Sequence, residues 1–283
     1  MQDVTELPMP PPWRETASAS PRGRGRIVPR YLPGSHSLAY YEYVPTCPVA
    51  RILVSVHGTS RNALEHALYL IGVAERRGAV VVAPAFRRRR HRGYQRLQQR
   101  KRGERGDLLL HRILAAVSAE LGLPEAPVSL FGFSGGAQFA HRYAMVFPER
   151  IESLVLASAG WYTLPDPTLP YPLGLRIDGD YQHLRLQLER FLALPIHVAV
   201  GMSDTEEDEM LNTAPEIVEL QGANRVERAR SWVERLRAAA HDKGVAAQVD
   251  LTELPGVGHS FAQSVHKGRL DLIIDQALRK LER

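Results

Sequence analysis

From residue 26 onward, short apolar runs rich in Val, Ile and Leu alternate with stretches of helical periodicity, and few folds accept that pattern. The run 51–57 carries Ile52, Leu53, Val54 and Val56 and stops at Gly58, which reads as a buried central strand. Residues 62–77 place Leu64, Ala67, Leu68, Ile71 and Ala74 at helical spacing, and Gly78 closes that helix. A second buried strand follows at 79–84. Asp107 stands where a helix N-cap belongs, ahead of Leu109, Ile113, Ala116 and Val117. Strands at 127–133, 153–158, 196–200 and 247–254 then alternate with helices at 135–147, 180–192, 223–243 and 265–281. Ahead of them all, 27–32 and 38–44 flank Pro33-Gly34-Ser35 and read as an antiparallel hairpin. Right-handed crossovers between such units give an α/β fold, a mostly parallel sheet of about eight strands with helices on both faces.

Composition narrows the class. With 283 residues, 44% hydrophobic and 24% charged, the chain can bury a large core without metal or disulfide. Cys47 is the single cysteine, so no internal disulfide forms. Residues 1–25, with prolines at 8, 10, 11, 12 and 21, read as a flexible arm, and 26–283 as one domain. The segment 161–194 carries prolines 165, 167, 170 and 172 and is the expected place for a small lid. No stretch is long and apolar enough for a membrane span. The first 21 residues show no basic start followed by an apolar run, so a cytoplasmic protein is expected.

Charge is concentrated. Residues 87–106 hold ten Lys or Arg against one Glu, while elsewhere acidic residues slightly outnumber basic ones. The net charge of +5 therefore belongs to that one segment. It reads as a solvated loop, as a clamp for an anionic substrate, or as a patch for nucleic acid or an acidic partner. Tyr94 is its only aromatic, which gives base stacking little to work with.

The chemistry centres on Gly132-Phe133-Ser134-Gly135-Gly136. A strand feeds straight into it and a helical pattern leaves it. So sharp a turn crowds the backbone, requires flanking glycines and projects the serine hydroxyl beyond the sheet edge. A serine needs a base. Of the 11 histidines, His259 alone lies on a glycine-rich loop after the last strand, in Gly256-Val257-Gly258-His259. His66, His111, His141, His241 and His266 fall on helices and are read as surface or helix-packing residues. The orienting acid is read as Asp204, just past strand 196–200, which gives the chain order Ser, Asp, His. Its rivals are Glu206, Glu207, Asp208 and Glu209, and the pair Asp178 and Asp180. Backbone N–H groups of Thr59 and Gly135 are the expected oxyanion donors. His57 is read as a strand-end histidine bonded to backbone. Gly58, Trp161 and Tyr162 are the expected substrate contacts, the two aromatics read either as a wall of the site or as packing of the lid.

His57-Gly58-Thr59, the pentapeptide around Ser134, Gly222-Ala223-Asn224-Arg225 and Gly256-Val257-Gly258-His259 together resemble α/β-hydrolase serine esterases. Among these the chain is similar to bacterial poly(3-hydroxyalkanoate) depolymerase-like esterases. The resemblance implies an acyl-enzyme on Ser134, no metal or organic cofactor, and a small or oligomeric ester substrate, anionic if the basic segment acts as a clamp. Two alternatives stay open: an acyltransferase on the same residues, and a basic binding protein on a hydrolase scaffold.

Overall fold

The computed structural model describes residues 23–98, 103–124 and 126–279. The expected N-terminal arm lies almost wholly outside these residues, as do positions 99–102 of the basic segment. Among the described residues, no helix is long and apolar enough to cross a membrane.

The hairpin expected at the start is β1 (Ile27–Tyr31) and β2 (Leu38–Tyr43). The chain continues through β3 (Arg51–Val56), α1 (Ala63–Tyr69), α2 (Ile71–Arg77), β4 (Ala79–Pro84) and α3 (Gly106–Leu121). Next come β5 (Val128–Phe133), α4 (Gly135–Val146), β6 (Ile151–Ala157) and α5 (Leu188–Leu192). The last third holds β7 (Pro195–Gly201), α6 (Pro215–Gln221), α7 (Arg225–Asp242), β8 (Gln248–Leu254), α8 (Phe261–His266) and α9 (Leu270–Arg279).

These strands form one open sheet in the order β1-β2-β4-β3-β5-β6-β7-β8. The two hairpin strands run antiparallel and the rest are parallel. Alternation along each strand feeds two cores. Ile52, Val54 and Val56 of β3 join the core beneath α3, α4 and α7, while Leu53 joins the core beneath α1, α2 and α9. Buried on both faces, β4 is apolar throughout, which is why its sequence shows no period-2 pattern. β4 lies on one side of β3 and β5 on the other, so the chain leaves β3 and β5 in diverging directions. That switch opens a crevice at the carboxyl ends of the strands, where Gly58 and Ser134 stand.

Several expected elements differ in detail. The helix expected at 62–77 is two helices that meet at Leu70, where the backbone opens to φ −102° and ψ 5°. The closing helix is likewise broken, at Lys267-Gly268-Arg269, with Arg269 at φ 55°. The stretch expected as helix 180–192 is one 3₁₀ turn, Gly179–Tyr181, and the short α5. Asp107 is not a cap: α3 begins at Gly106 after Arg105, and Asp107 sits buried in the first turn, paired with Arg105. A carboxylate there still complements the helix dipole.

The expected lid, 161–194, folds against the body. The indole Nε1–H of Trp232 on α7 donates to Thr163 O at 2.8 Å, and Leu164 N–H donates to Leu173 O at 2.8 Å. The basic segment is anchored too. Tyr94 and Leu97 are buried in the main core, and Arg142 on α4 donates to Gln95 O at 2.7 Å. Its arginines are spread: Arg87 reaches Ser37 of the hairpin, Arg90 pairs with Glu104, and Arg96 lies over the Trp161 ring at 5.7 Å. A wholly solvated loop is therefore the wrong description of its described part, because Phe86, Tyr94 and Leu97 pin it to the core. With Tyr94 only 2% exposed, the segment offers nucleic acid no ring to stack on.

Candidate active site

Ser134 lies between β5 and α4 with φ 54° and ψ −117°, a conformation that costs a non-glycine residue energy. Its N–H donates to Ala157 O at 2.8 Å, and its carbonyl accepts from Gln138 N–H at 3.1 Å. The flanking glycines are required by contact. A Cβ on Gly132 would lie 2.3 Å from Gly136 O, and one on Gly136 would lie 2.0 Å from Val56 O. The side chain ends up 8% exposed in a cleft of about 340 Å³.

His259 and Asp204 are brought together by the loops after β8 and β7. Met202 N–H donates to Leu254 O at 2.9 Å and Ser203 N–H to Val257 O at 2.9 Å, so the two loops are stitched to each other. Gly201 permits it, since a Cβ there would lie 2.3 Å from Val257 O. The His259 ring packs on Phe133, centroids 5.2 Å apart.

The result is one hydrogen-bonded chain. His259 Nδ1 lies 2.8 Å from Asp204 Oδ2, and His259 Nε2 lies 3.0 Å from Ser134 Oγ. An ionised carboxylate only accepts, so Nδ1 carries the proton, Nε2 is the acceptor, and the Ser134 hydroxyl donates to it. The rival acids stand elsewhere. Glu206, Glu207 and Glu209 are exposed, Asp180 accepts from Gln98 at 3.3 Å, and Asp208 is engaged by Arg225.

The loop after β3 closes the other side. A Cβ on Gly58 would stand 3.3 Å from Ser134 Cβ, and one on Gly135 would stand 3.1 Å from Thr59 Cγ2. Thr59 and Gly135 thus flank the serine. As the first residue of α4, Gly135 has no acceptor for its N–H within the helix.

His57 stiffens this loop. Its Nδ1–H donates to Gly58 O at 2.8 Å, its Nε2 accepts from Phe86 N–H at 3.1 Å, and Tyr94 OH donates to His57 O at 2.9 Å. Burial pushes its pKa down to about 4, so it stays neutral.

The expected aromatic wall needs correction. Tyr162 is fully buried and stacks on Trp232 at 4.4 Å, while its N–H donates to Gln221 Oε1 at 2.8 Å. It is a core residue because the chain turns inward right after β6. Trp161 is nearly buried, with the Arg142 guanidinium 4.3 Å from its ring centre. The cleft wall is instead contributed by Phe133, Phe261, Met210 and Glu65.

Two helix histidines expected at surfaces are fully buried. His66 Nδ1 bonds Ser55 Oγ at 2.9 Å; His141 Nδ1–H donates to Ala137 O at 2.8 Å and its Nε2 accepts from Thr163 N–H at 3.0 Å. Burial pushes both well below the ordinary value of 6.5. With His57, that makes three imidazoles that are neutral when folded and take up protons when unfolded. Their stabilisation is fully present above about pH 6.5 and is lost as pH falls toward the folded values. For His57 alone, the drop from 6.5 to about 4 corresponds to about 3 kcal/mol. Stability against urea should therefore fall between pH 6.5 and 4.5. A flat profile across that window would refute neutral burial of all three.

Sequence reasoning missed Arg225. This first residue of α7 is buried, and its Nη1 donates to Asp204 Oδ1 at 3.1 Å. The motif Gly222-Ala223-Asn224-Arg225 held the signal, but its meaning required knowing that the start of α7 faces the loop after β7.

No protein-family model matches the chain, and no curated protein matches it. Solved structures do. Poly(aspartic acid) hydrolase-1 from Sphingomonas sp. KT-1 superposes with TM-score 0.71 at 25% identity, covering 84% of this chain and 92% of that one. The poly(3-hydroxybutyrate) depolymerase from Bordetella parapertussis gives 0.70 at 27%, covering 91% and 88%. An S-formylglutathione hydrolase from Agrobacterium tumefaciens gives 0.56 at 15%, covering 90% and 93%, a likeness of fold alone.

The chain has the α/β-hydrolase fold. It resembles the hydrolases and esterases built on that fold, bacterial depolymerase-like esterases among them.

Proposed function

We propose that the protein is a serine hydrolase that cleaves a carboxylic ester through an acyl-enzyme on Ser134. The observation that carries this reading is the chain Ser134 Oγ, His259 Nε2, His259 Nδ1, Asp204 Oδ2, with links of 3.0 and 2.8 Å. In this reading His259 takes the hydroxyl proton as Ser134 attacks the ester carbonyl. The tetrahedral oxyanion is met by the N–H groups of Thr59 and Gly135. His259 then returns the proton to the departing alcohol. Water, activated by the same imidazole, releases the acid. Asp204 holds the tautomer and stabilises the imidazolium.

The substrate class is read as a small or oligomeric ester. The names of the two relatives at 25 and 27% identity speak of polymeric substrates, poly(aspartic acid) and poly(3-hydroxybutyrate). The cleft lies open to solvent beside exposed Met210, which suits the end or loop of a longer molecule.

A fluorophosphonate probe should label the wild-type protein at Ser134 and leave Ser134→Ala unlabelled. A panel of p-nitrophenyl esters, with a carboxylate-bearing member assayed at low and high salt, then defines the acyl group. Absence of labelling on folded protein would overturn the hydrolase reading. Transfer to added alcohol in preference to water would convert it to an acyltransferase.

A further inference from the structure

We propose that Arg225 is a positioning residue of this site: it fixes the Asp204 carboxylate for His259 and, with Asp208, sets the charge against which His259 works. The inference rests on the serine-hydrolase reading above. Arg225 is 1% exposed and opens α7, at the helix end whose dipole disfavours a cation. A buried guanidinium there is retained only with carboxylates, and it has two. Nη1 lies 3.1 Å from Asp204 Oδ1, and Nη2 lies 2.8 Å from Asp208 Oδ2. Asp204 Oδ2 is meanwhile held by His259 at 2.8 Å. Both oxygens of a buried acid are thus engaged, one by the base and one by Arg225, and the carboxylate cannot rotate. Without Arg225, Oδ1 would be buried without this charged donor and free to turn toward another.

Asp208 makes the arrangement electrical as well as geometric. Burial pushes its carboxyl up, but the Arg225 charge, the bond from Met210 N–H and the nearby His259 outweigh that and hold it below the usual carboxylate range. His259 therefore faces two carboxylates with one guanidinium between them. Other charged or titratable groups around it are Glu65 and His66 of α1, which line the same cleft, Tyr162 after β6, and Arg228 of α7. Arg228 donates to the carbonyls of Asn212 and Gly222 at 2.9 Å and also to that of Gly160. Neither change removes any of these groups, so opposite effects of the two changes would belong to that pair.

The test compares Arg225→Met, Arg225→Lys and Asp208→Asn with wild type on a neutral ester, with rates expressed per Ser134 labelled by fluorophosphonate. Misfolded protein then drops out of the rate. Arg225→Met should lower kcat roughly 10- to 100-fold with KM within about threefold, since a transition-state interaction is lost. Its kcat/KM profile should move its acid limb to higher pH, because the protonated base then faces two uncompensated carboxylates. Asp208→Asn should move the acid limb to lower pH. Arg225→Lys keeps the charge without the fork, so it should hold the acid limb near wild type while still losing kcat. Should Arg225→Met not fold, Arg225→Lys and Asp208→Asn decide alone. A wild-type kcat in Arg225→Lys with an unmoved limb in Asp208→Asn overturns the inference, as does a shift of both neutralising variants in the same direction. Hydrolysis that survives Ser134→Ala would instead break the underlying hydrolase reading.

Discussion

Ser134→Ala and His259→Ala should each lower kcat by roughly 10⁴-fold or more, and the double variant should fall little further. The hydroxyl and the imidazole stand 3.0 Å apart and, in the proposed reading, act as one proton-transfer unit, so removing either partner should disable both. What survives is the contribution of the oxyanion donors and of binding. Asp204→Asn should cost less than either, because the base remains but its tautomer is no longer enforced. Steady-state kinetics on a p-nitrophenyl ester, normalised to folded protein, measure all four. Additive losses in the double variant would mean that the two residues do not act together. Full activity in Asp204→Asn with a dead Asp208→Asn would move the acid to the neighbouring carboxylate.

Gly136→Ala should be severely damaging. The added carbon would stand 2.0 Å from Val56 O and 2.7 Å from His57 O, both backbone atoms of or next to the central strand β3. Neither can turn aside as a side chain would, so α4 must lift from the sheet. We expect a loss of about 4 kcal/mol or more, which at this size lowers Tm by about 10 °C or prevents folding. Gly122→Ala is the control. Its φ is positive, 63°, but nothing lies within 4 Å. There only the left-handed backbone is penalised, by about 1 kcal/mol. Thermal melts of the two variants side by side decide it. Similar melting points would show that the elbow has slack that the contacts deny.

The contrast between what the sequence disclosed and what it hid follows from periodicity. β3, β4, β5 and β7 were legible because strands buried on both faces appear as short, mostly apolar runs bounded by turn residues, and α4 because it leaves the serine turn directly. The pentapeptide was legible because a strand feeds straight into it and a helical pattern leaves it. Asp204 could be chosen over its six rival carboxylates only by its nearness to a strand end and by chain order. The helix break at Leu70 was not legible, since apolar residues continue through it at helical spacing. Gly268 did mark the second break, but one glycine inside an amphipathic run reads as readily as a tolerated defect. Helix α6 went unassigned because Ile217, Val218 and Leu220 span only two turns. His66 and His141 were read as surface residues because a histidine on a helix carries no mark of burial. Their hydrogen bonds come from Ser55 and Thr163, 11 and 22 positions away in sequence. Arg225 and Tyr162 share that difficulty, as their partners, Asp204 and Asp208 for the one and Gln221 and Trp232 for the other, are also distant in sequence.

The sheet order has a consequence for how such a molecule fails. Ser134 rides on β5, flanked on both sides by parallel neighbours, whereas His259 follows β8, which ends the sheet and pairs only with β7. Terminal strands with one solvent-facing flank are the first to detach in partial openings that leave the rest of a domain intact. A molecule in that state would keep Ser134 in place and lose the His259 that the proposed function assigns as its base. On the proposed reading, its catalytic competence should be lost with the fraying of one border strand, at a temperature where most of the sheet is still whole.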